Sequence, residues 1–165
     1  MSAKQEKLFV DFFKPNQKLI HKICKIYTDN TEDHEDLFQE ITIQLWKSFP
    51  GFKGESKFST WMYRVALNTA ITLFRSPGNR KMKTVEVDVS SLTIEYQNYE
   101  DDEHQLKKMY EAIYKLSDVE KALIMLYLED RPYKEIGEIL GVTEGNARVK
   151  MNRAKNNLKT KISIQ

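Results

Sequence analysis

Cysteine, proline and glycine are all scarce in this 165-residue chain, which holds one, four and six of them respectively. The lone Cys24 excludes an intrachain disulfide and suits a reducing, cytoplasmic setting. Few Pro and Gly, and no paired runs of alternating β-branched residues, argue against a sheet-and-turn architecture and for helices. No apolar stretch approaches the roughly 18 residues of a membrane span. The opening residues MSAKQEKLFVDFFKP carry charges inside their apolar run, unlike a secretory signal. His21, His34 and His104 are dispersed, and His34-Glu35-Asp36 has no matching cluster to complete a metal site. No catalytic set emerges, so neither metal nor other cofactor is expected, and a nucleic-acid enzyme is the weakest of the readings weighed.

What is present is apolar text at helical spacing. Hydrophobic residues make up 41% of the chain and charged ones 30%, enough for real cores under a water-facing surface. Leu8, Phe9, Phe12 and Phe13 give a first short helix that stops before Pro15. A second runs from about Pro15 to Tyr27, with Leu19, Ile20, Ile23, Cys24 and Tyr27 on one stripe. After the turn at Asp29-Asn30-Thr31, a third covers about Glu32 to Phe49, with Leu37, Phe38, Ile41 and Leu45 facing inward. Pro50-Gly51 ends it, and a fourth spans about Lys57 to Phe74. From Ser76 the text turns polar and acidic. Val85, Val87 and Val89 alternate weakly, but no second strand exists to pair with them, so an exposed linker is expected. Helical text resumes near His104, with Leu106, Met109, Tyr110 and Ile113 on one stripe. The expected architecture is all-α: two small helical domains, 1–76 and 104–165, joined by a flexible linker over 77–103.

Two segments carry chemistry. In FPGFKGESKFSTWMYRVALNTAI (49–71), Phe49, Phe52, Phe58, Trp61 and Tyr63 interleave with Lys53, Lys57 and Arg64 around a glycine-bearing loop. Cations neutralise phosphates and flat rings accept unstacked bases, so the mixture suits single-stranded or opening nucleic acid. Phe58, Trp61, Met62 and Val65 also fall at helical spacing, so some of these rings belong to a core. The second segment follows Ser117-Asp118-Val119-Glu120, a capping box. There Ile136, Ile139 and Leu140 form an apolar face, Gly141 suits a left-handed helix stop, Val142 plugs the turn, and Thr143 caps a long helix. This is the helix-turn-helix pattern. Beyond Gly141 come Arg148, Lys150, Arg153, Lys155, Lys159 and Lys161 against Glu144 alone, although the whole chain is only +2. Ala147, Met151, Ala154 and Leu158 face inward, which turns Asn146, Val149, Lys150, Asn152, Arg153 and Asn156 outward, with Arg148 and Lys155 on a flank. Arg reads guanine well and Asn adenine.

DLFQEITIQLW (36–46), FKGESKFSTWMYRVALNTA (52–70) and the 116–158 unit, in that order, resemble bacterial RNA polymerase sigma factors. The likeness is greatest to the small extracytoplasmic-function (ECF) group of the sigma-70 family, which keeps only the second and fourth conserved regions. The resemblance implies that Asp36, Gln39 and Glu40, with Trp46 nearby, dock on the clamp helices of core polymerase. It implies that Ser48, Phe52 and Asn68 surround a base flipped from the minus-ten element, while Lys53, Lys57 and Arg64 hold phosphates. Asn146, Arg148, Val149, Lys150, Asn152 and Arg153 would meet the minus-thirty-five element, whose preferred bases are not carried over. Core RNA polymerase, promoter DNA and an anti-sigma factor, often membrane-bound, are the implied partners. The rival reading is a stand-alone helix-turn-helix regulator with a sensing or dimerising N-terminal domain, which leaves the aromatic loop and the Asp36/Gln39/Glu40 face idle.

Overall fold

The computed structural model describes residues 1–75 and 100–163, and every regular element among them is helical. Before the gap lie α1 (Ala3–Phe13), α2 (Gln17–Tyr27), α3 (Thr31–Ser48) and α4 (Phe58–Arg75). After it lie α5 (Glu100–Tyr114), α6 (Asp118–Leu128), α7 (Tyr133–Leu140) and α8 (Glu144–Ser163). The Val85/Val87/Val89 run and most of the expected linker fall outside the described residues. Helix α5 begins at Glu100, four residues ahead of the expected start.

The helix boundaries follow from local chemistry. Asn30 accepts the amide of Asp33 at 2.8 Å, with Glu32 and Asp33 in the positive first turn of α3. Ser117 and Glu120 bond reciprocally, at 3.3 and 3.1 Å, to open α6. Pro15 does not begin α2 as expected. It sits in a 3-10 turn, Lys14–Asn16, where the Asn16 side chain donates to the Phe12 carbonyl at 2.8 Å and so satisfies the C-terminal end of α1.

The expected stripes turn inward only in part, since Leu8 and Phe12 of α1 are exposed and Leu106, Met109 and Tyr110 of α5 are half-buried, whereas α2 buries more than its stripe. Ile20, Ile23, Cys24 and Tyr27 are joined by Ile26, which is 2% exposed. A single stripe serves a helix with one neighbour, but α2 packs on α3 and α4 and also on α5 and α6. Helix α4 is likewise shared, resting on α2 and α3 and against α6 and α7. The helices before the gap and those after it lie side by side, with one cluster of buried side chains running through both. The hydroxyl of Tyr27 crosses the boundary and donates to the Asp118 carbonyl at 2.6 Å.

The helix-turn-helix corner depends on two glycines. Gly141 takes φ +72°, the left-handed stop that a side chain disfavours. Gly137, which the sequence pattern did not single out, lies where α7 meets the turn, and its carbonyl accepts the Val142 amide at 2.9 Å. A Cβ there would sit 2.6 Å from the Val142 carbonyl oxygen. Gly137→Ala should therefore lower stability by about 1–3 kcal/mol despite alanine's better helix propensity, read as a reduced melting midpoint. An unchanged or raised midpoint would show that the corner relaxes freely.

Candidate nucleic-acid interface

Three surfaces hold the residues singled out above. The first is the outer face of α3. Asp36 and Gln39 are exposed, and Glu40 is half-buried and accepts from the Gln44 amide at 2.8 Å. Ile43, 44% exposed, stands among them at the helical repeat, and Trp46, 37% exposed, completes the face. Trp46 is held edge-on against Phe9, with ring centroids 5.1 Å apart. Ile43 was legible as an apolar residue off the Leu37/Ile41/Leu45 stripe, a signal that the sequence reading passed over.

The second surface is the loop between α3 and α4 together with the open side of α4. A 3-10 turn, Phe49–Gly51, leads into it, and the Phe52 amide donates back to the Phe49 carbonyl at 2.9 Å. The Phe52 ring lies 5.1 Å from Trp61, 5.7 Å from Phe58, 6.2 Å from Phe49 and 6.3 Å from Phe12. Phe49 and Phe58 are buried, so these rings form the scaffold of the loop, and Phe52 is its half-buried wall. Tyr63 is fully buried beneath Arg131, whose guanidinium lies 4.9 Å from the ring, so it offers no face to a base. Ser48, Lys53, Lys57, Arg64 and Asn68 are all exposed. Arg64 and Asn68 lie one turn apart, and half-buried Trp61 continues their stripe at i, i+3, i+7. Trp61, read mainly as core from sequence, thus borders the open stripe of α4.

The third surface is α8. Thr143 accepts the Asn146 amide at 3.1 Å, and Ala147, Met151 and Ala154 are fully buried. Asn146, Val149, Asn152 and Arg153 are exposed and Lys150 is half-buried. Arg148 is exposed but engaged: it pairs with Glu144 at 3.0 Å and lies 4.6 Å from the Tyr133 ring centre. Lys155 rests 3.8 Å from the Tyr127 ring centre. These rings orient the cations along the helix without neutralising them.

A cavity of about 160 Å³ opens beside the α3 face, lined by His21, His34, Glu35, Phe38 and Gln39. Nδ1 of His21 and Nε2 of His34 are 2.9 Å apart, so one imidazole donates and the other accepts. Among the described residues no group of three or more His, Cys, Asp or Glu is placed to hold a metal ion.

The chain matches the sigma-70 region 2 model over residues 12–80 and the sigma-70 region 4 model over residues 106–158. It is 28% identical over 141 residues to the ECF RNA polymerase sigma-E factor of Haemophilus influenzae, covering 79% of this chain and 75% of that one. It is 29% identical over 164 residues to the ECF RNA polymerase sigma factor SigW of Bacillus subtilis, covering 93% and 86%. In three dimensions it resembles the sigma factor RpoE solved with the anti-sigma factor NepR from Bartonella quintana, with a TM-score of 0.73, 18% identity and coverage of 96% and 99%. It also resembles CnrH, solved with the cytosolic domain of CnrY, with a TM-score of 0.68, 14% identity and coverage of 97% and 90%. The chain belongs to the sigma-70 family of RNA polymerase sigma factors and, within it, to the ECF group. Such proteins are DNA-binding factors for transcription initiation, and the chain is an alternative sigma factor.

The histidine pair generates a pH prediction. Burial lowers the pKa of His21, and burial followed by the nearby His21 and Lys25 charges lowers that of His34. Both rings stay neutral in the fold while the unfolded chain protonates near pH 6.5. The unfolded state therefore binds more protons below that pH. Stability should be fully present above about pH 6.5 and decline as pH falls toward the lowered folded values. Melting midpoints measured from pH 8 to 5 should drop in wild type and drop less in His34→Gln. Parallel profiles would remove the pair as the cause.

Proposed function

We propose that this sigma factor binds core RNA polymerase through the α3 face and directs promoter recognition and strand opening through its two DNA-facing surfaces. On this reading Asp36, Gln39, Glu40 and Trp46, with Ile43 as the apolar centre, meet the polymerase. A patch that mixes carboxylates with one exposed Ile and one Trp has the composition of a docking surface rather than of a merely solvated face. Lys53, Lys57 and Arg64 hold phosphates near the minus-ten element, while Ser48, Phe52 and Asn68 border the site of an extruded base. Extrusion costs a few kcal/mol, and stacking with edge hydrogen bonds in a pocket offsets it. Asn146, Arg148, Val149, Lys150, Asn152 and Arg153 face the minus-thirty-five duplex. The observation that carries the reading is the exposed Arg64/Asn68 stripe beside a loop whose Phe52 is braced on four aromatic rings, a cationic edge on an apolar wall.

The protein acts in the cytoplasm on this reading, and among the described residues no helix is long and apolar enough to cross a membrane. Two structural relatives were solved with bound partners, one of them an anti-sigma factor, and a comparable inhibitory partner is proposed here.

Mixing the protein with core polymerase and a genomic library should give a stable complex and run-off transcripts from a defined promoter class; no association would end the proposal. Asn68→Ala and Phe52→Ala should reduce opening and minus-ten selectivity by roughly tenfold or more while leaving polymerase affinity intact, measured by permanganate footprinting beside a binding titration. Equal loss in both assays would reassign those residues to polymerase contact. Arg148→Ala should weaken upstream duplex binding and flatten its salt dependence by about one phosphate's worth, and an unchanged slope would take Arg148 off the backbone.

A further inference from the structure

Two cations on α8 are held by tyrosines that belong to other helices. Arg148 lies 4.6 Å from the ring centre of Tyr133, at the start of α7, and Lys155 lies 3.8 Å from that of Tyr127, near the end of α6. The two cations are seven residues apart. That is two turns, about 10.5 Å along the axis and within about 20° of the same line, so both stand on one edge of the helix.

The Lys155 brace differs from the other in what it leaves free. Arg148 also pairs with Glu144 at 3.0 Å, whereas among the described residues no carboxylate pairs with Lys155. A ring attracts an ammonium through its quadrupole and does not cancel the charge, so the whole charge stays available to an outside anion. Tyr127 is itself 46% exposed, so burial does not account for the place of its ring. An unbraced lysine marks register poorly. Its flexible four-carbon stem must be ordered when it meets a phosphate, and that ordering opposes binding. A ring that orders the stem beforehand removes part of the cost and fixes where along the helix the charge stands.

We propose that Tyr127 is a positioning residue: its ring holds the Lys155 ammonium on the edge of α8 as a backbone contact for duplex DNA, two turns beyond Arg148. The two braced cations then act as a pair of fixed phosphate contacts that sets the register of α8, while its outward face meets base edges. The inference rests on the proposed duplex contact of α8 and adds to it a residue that acts only through Lys155.

The test uses holoenzyme reconstituted from the full chain and core polymerase, titrated with upstream promoter duplex at several salt concentrations. Lys155→Gln should lower the slope of log affinity against log salt by about 0.9, the loss of one phosphate contact. Tyr127→Leu should weaken binding about two- to fivefold with the slope unchanged, because the charge remains but is no longer held. Tyr127→Phe keeps the ring and should bind as wild type does. Once Lys155→Gln is present, Tyr127→Leu should cost nothing further. Tyr127 is exposed, so its variants should fold, and far-UV circular dichroism checks this. A second readout needs neither polymerase nor DNA. In the free chain with ¹³C-methylated lysines, the Lys155 methyl signal should lie upfield under the Tyr127 ring current and return to the common lysine position in Tyr127→Leu. An unchanged salt slope in Lys155→Gln, a Tyr127→Leu penalty that persists without Lys155, or a Lys155 signal with no upfield shift would each overturn the brace and leave the duplex reading standing. Wild-type holoenzyme that ignores the duplex would overturn both.

Discussion

Helix α4 is covered along two sides, by α2 and α3 on one and by α6 and α7 on the other, and this double burial constrains most of what the protein presents. Met62, Tyr63, Ala66, Leu67 and Ala70 are all fully buried, which leaves only a narrow stripe open to solvent. That stripe holds Arg64 and Asn68, with Trp61 at its edge. A helix with one packed side would show water a broad polar face with no preferred line of approach. Here the neighbours reduce the accessible surface to one row, so packing decides the line along which polar side chains emerge.

The aromatic residues divide between two tasks for a physical reason. Phe9, Phe13, Phe49 and Phe58 are buried and contact one another edge-on or stacked, which suits rings with negative faces and positive edges. The loop from Phe52 to Lys57 has no regular backbone ladder of its own, and its order comes from resting Phe52 on that cluster. A loop braced in this way keeps its lysines near fixed positions and loses less entropy on meeting a ligand than a free loop would.

Charge is organised by the same economy of neighbours. Arg131, Arg148, Lys25, Lys121 and Lys155 each lie over an aromatic ring, and two of the arginines also pair with a glutamate one turn away. Such contacts orient a cation without removing its charge. Those on α8 line up beside its outward face, while those on α2, on α6 and in the turn after α6 tie the helices before the gap to those after it.

Much was legible from the chain before any coordinates. Apolar spacing defined the helices, Ser117/Glu120 and Thr143 marked two of their starts, and Gly141 marked the corner, because these are local effects carried by a few consecutive residues. The inward row Ala147/Met151/Ala154 and the outward row Asn146/Val149/Asn152/Arg153 followed from helical geometry alone. Tertiary structure decided what depends on residues distant in the chain. It buried Ile26 by giving α2 neighbours on both sides, required glycine at 137 by bringing the Val142 carbonyl close, and sealed Tyr63 under Arg131. It also brought Lys22 to Glu129 and Thr60 to Glu135 across more than seventy residues of chain. Periodicity reports which side of a helix avoids water; it cannot report how many neighbours compete to cover that side, and here the second neighbour of α2 and α4 decides which residues remain in view.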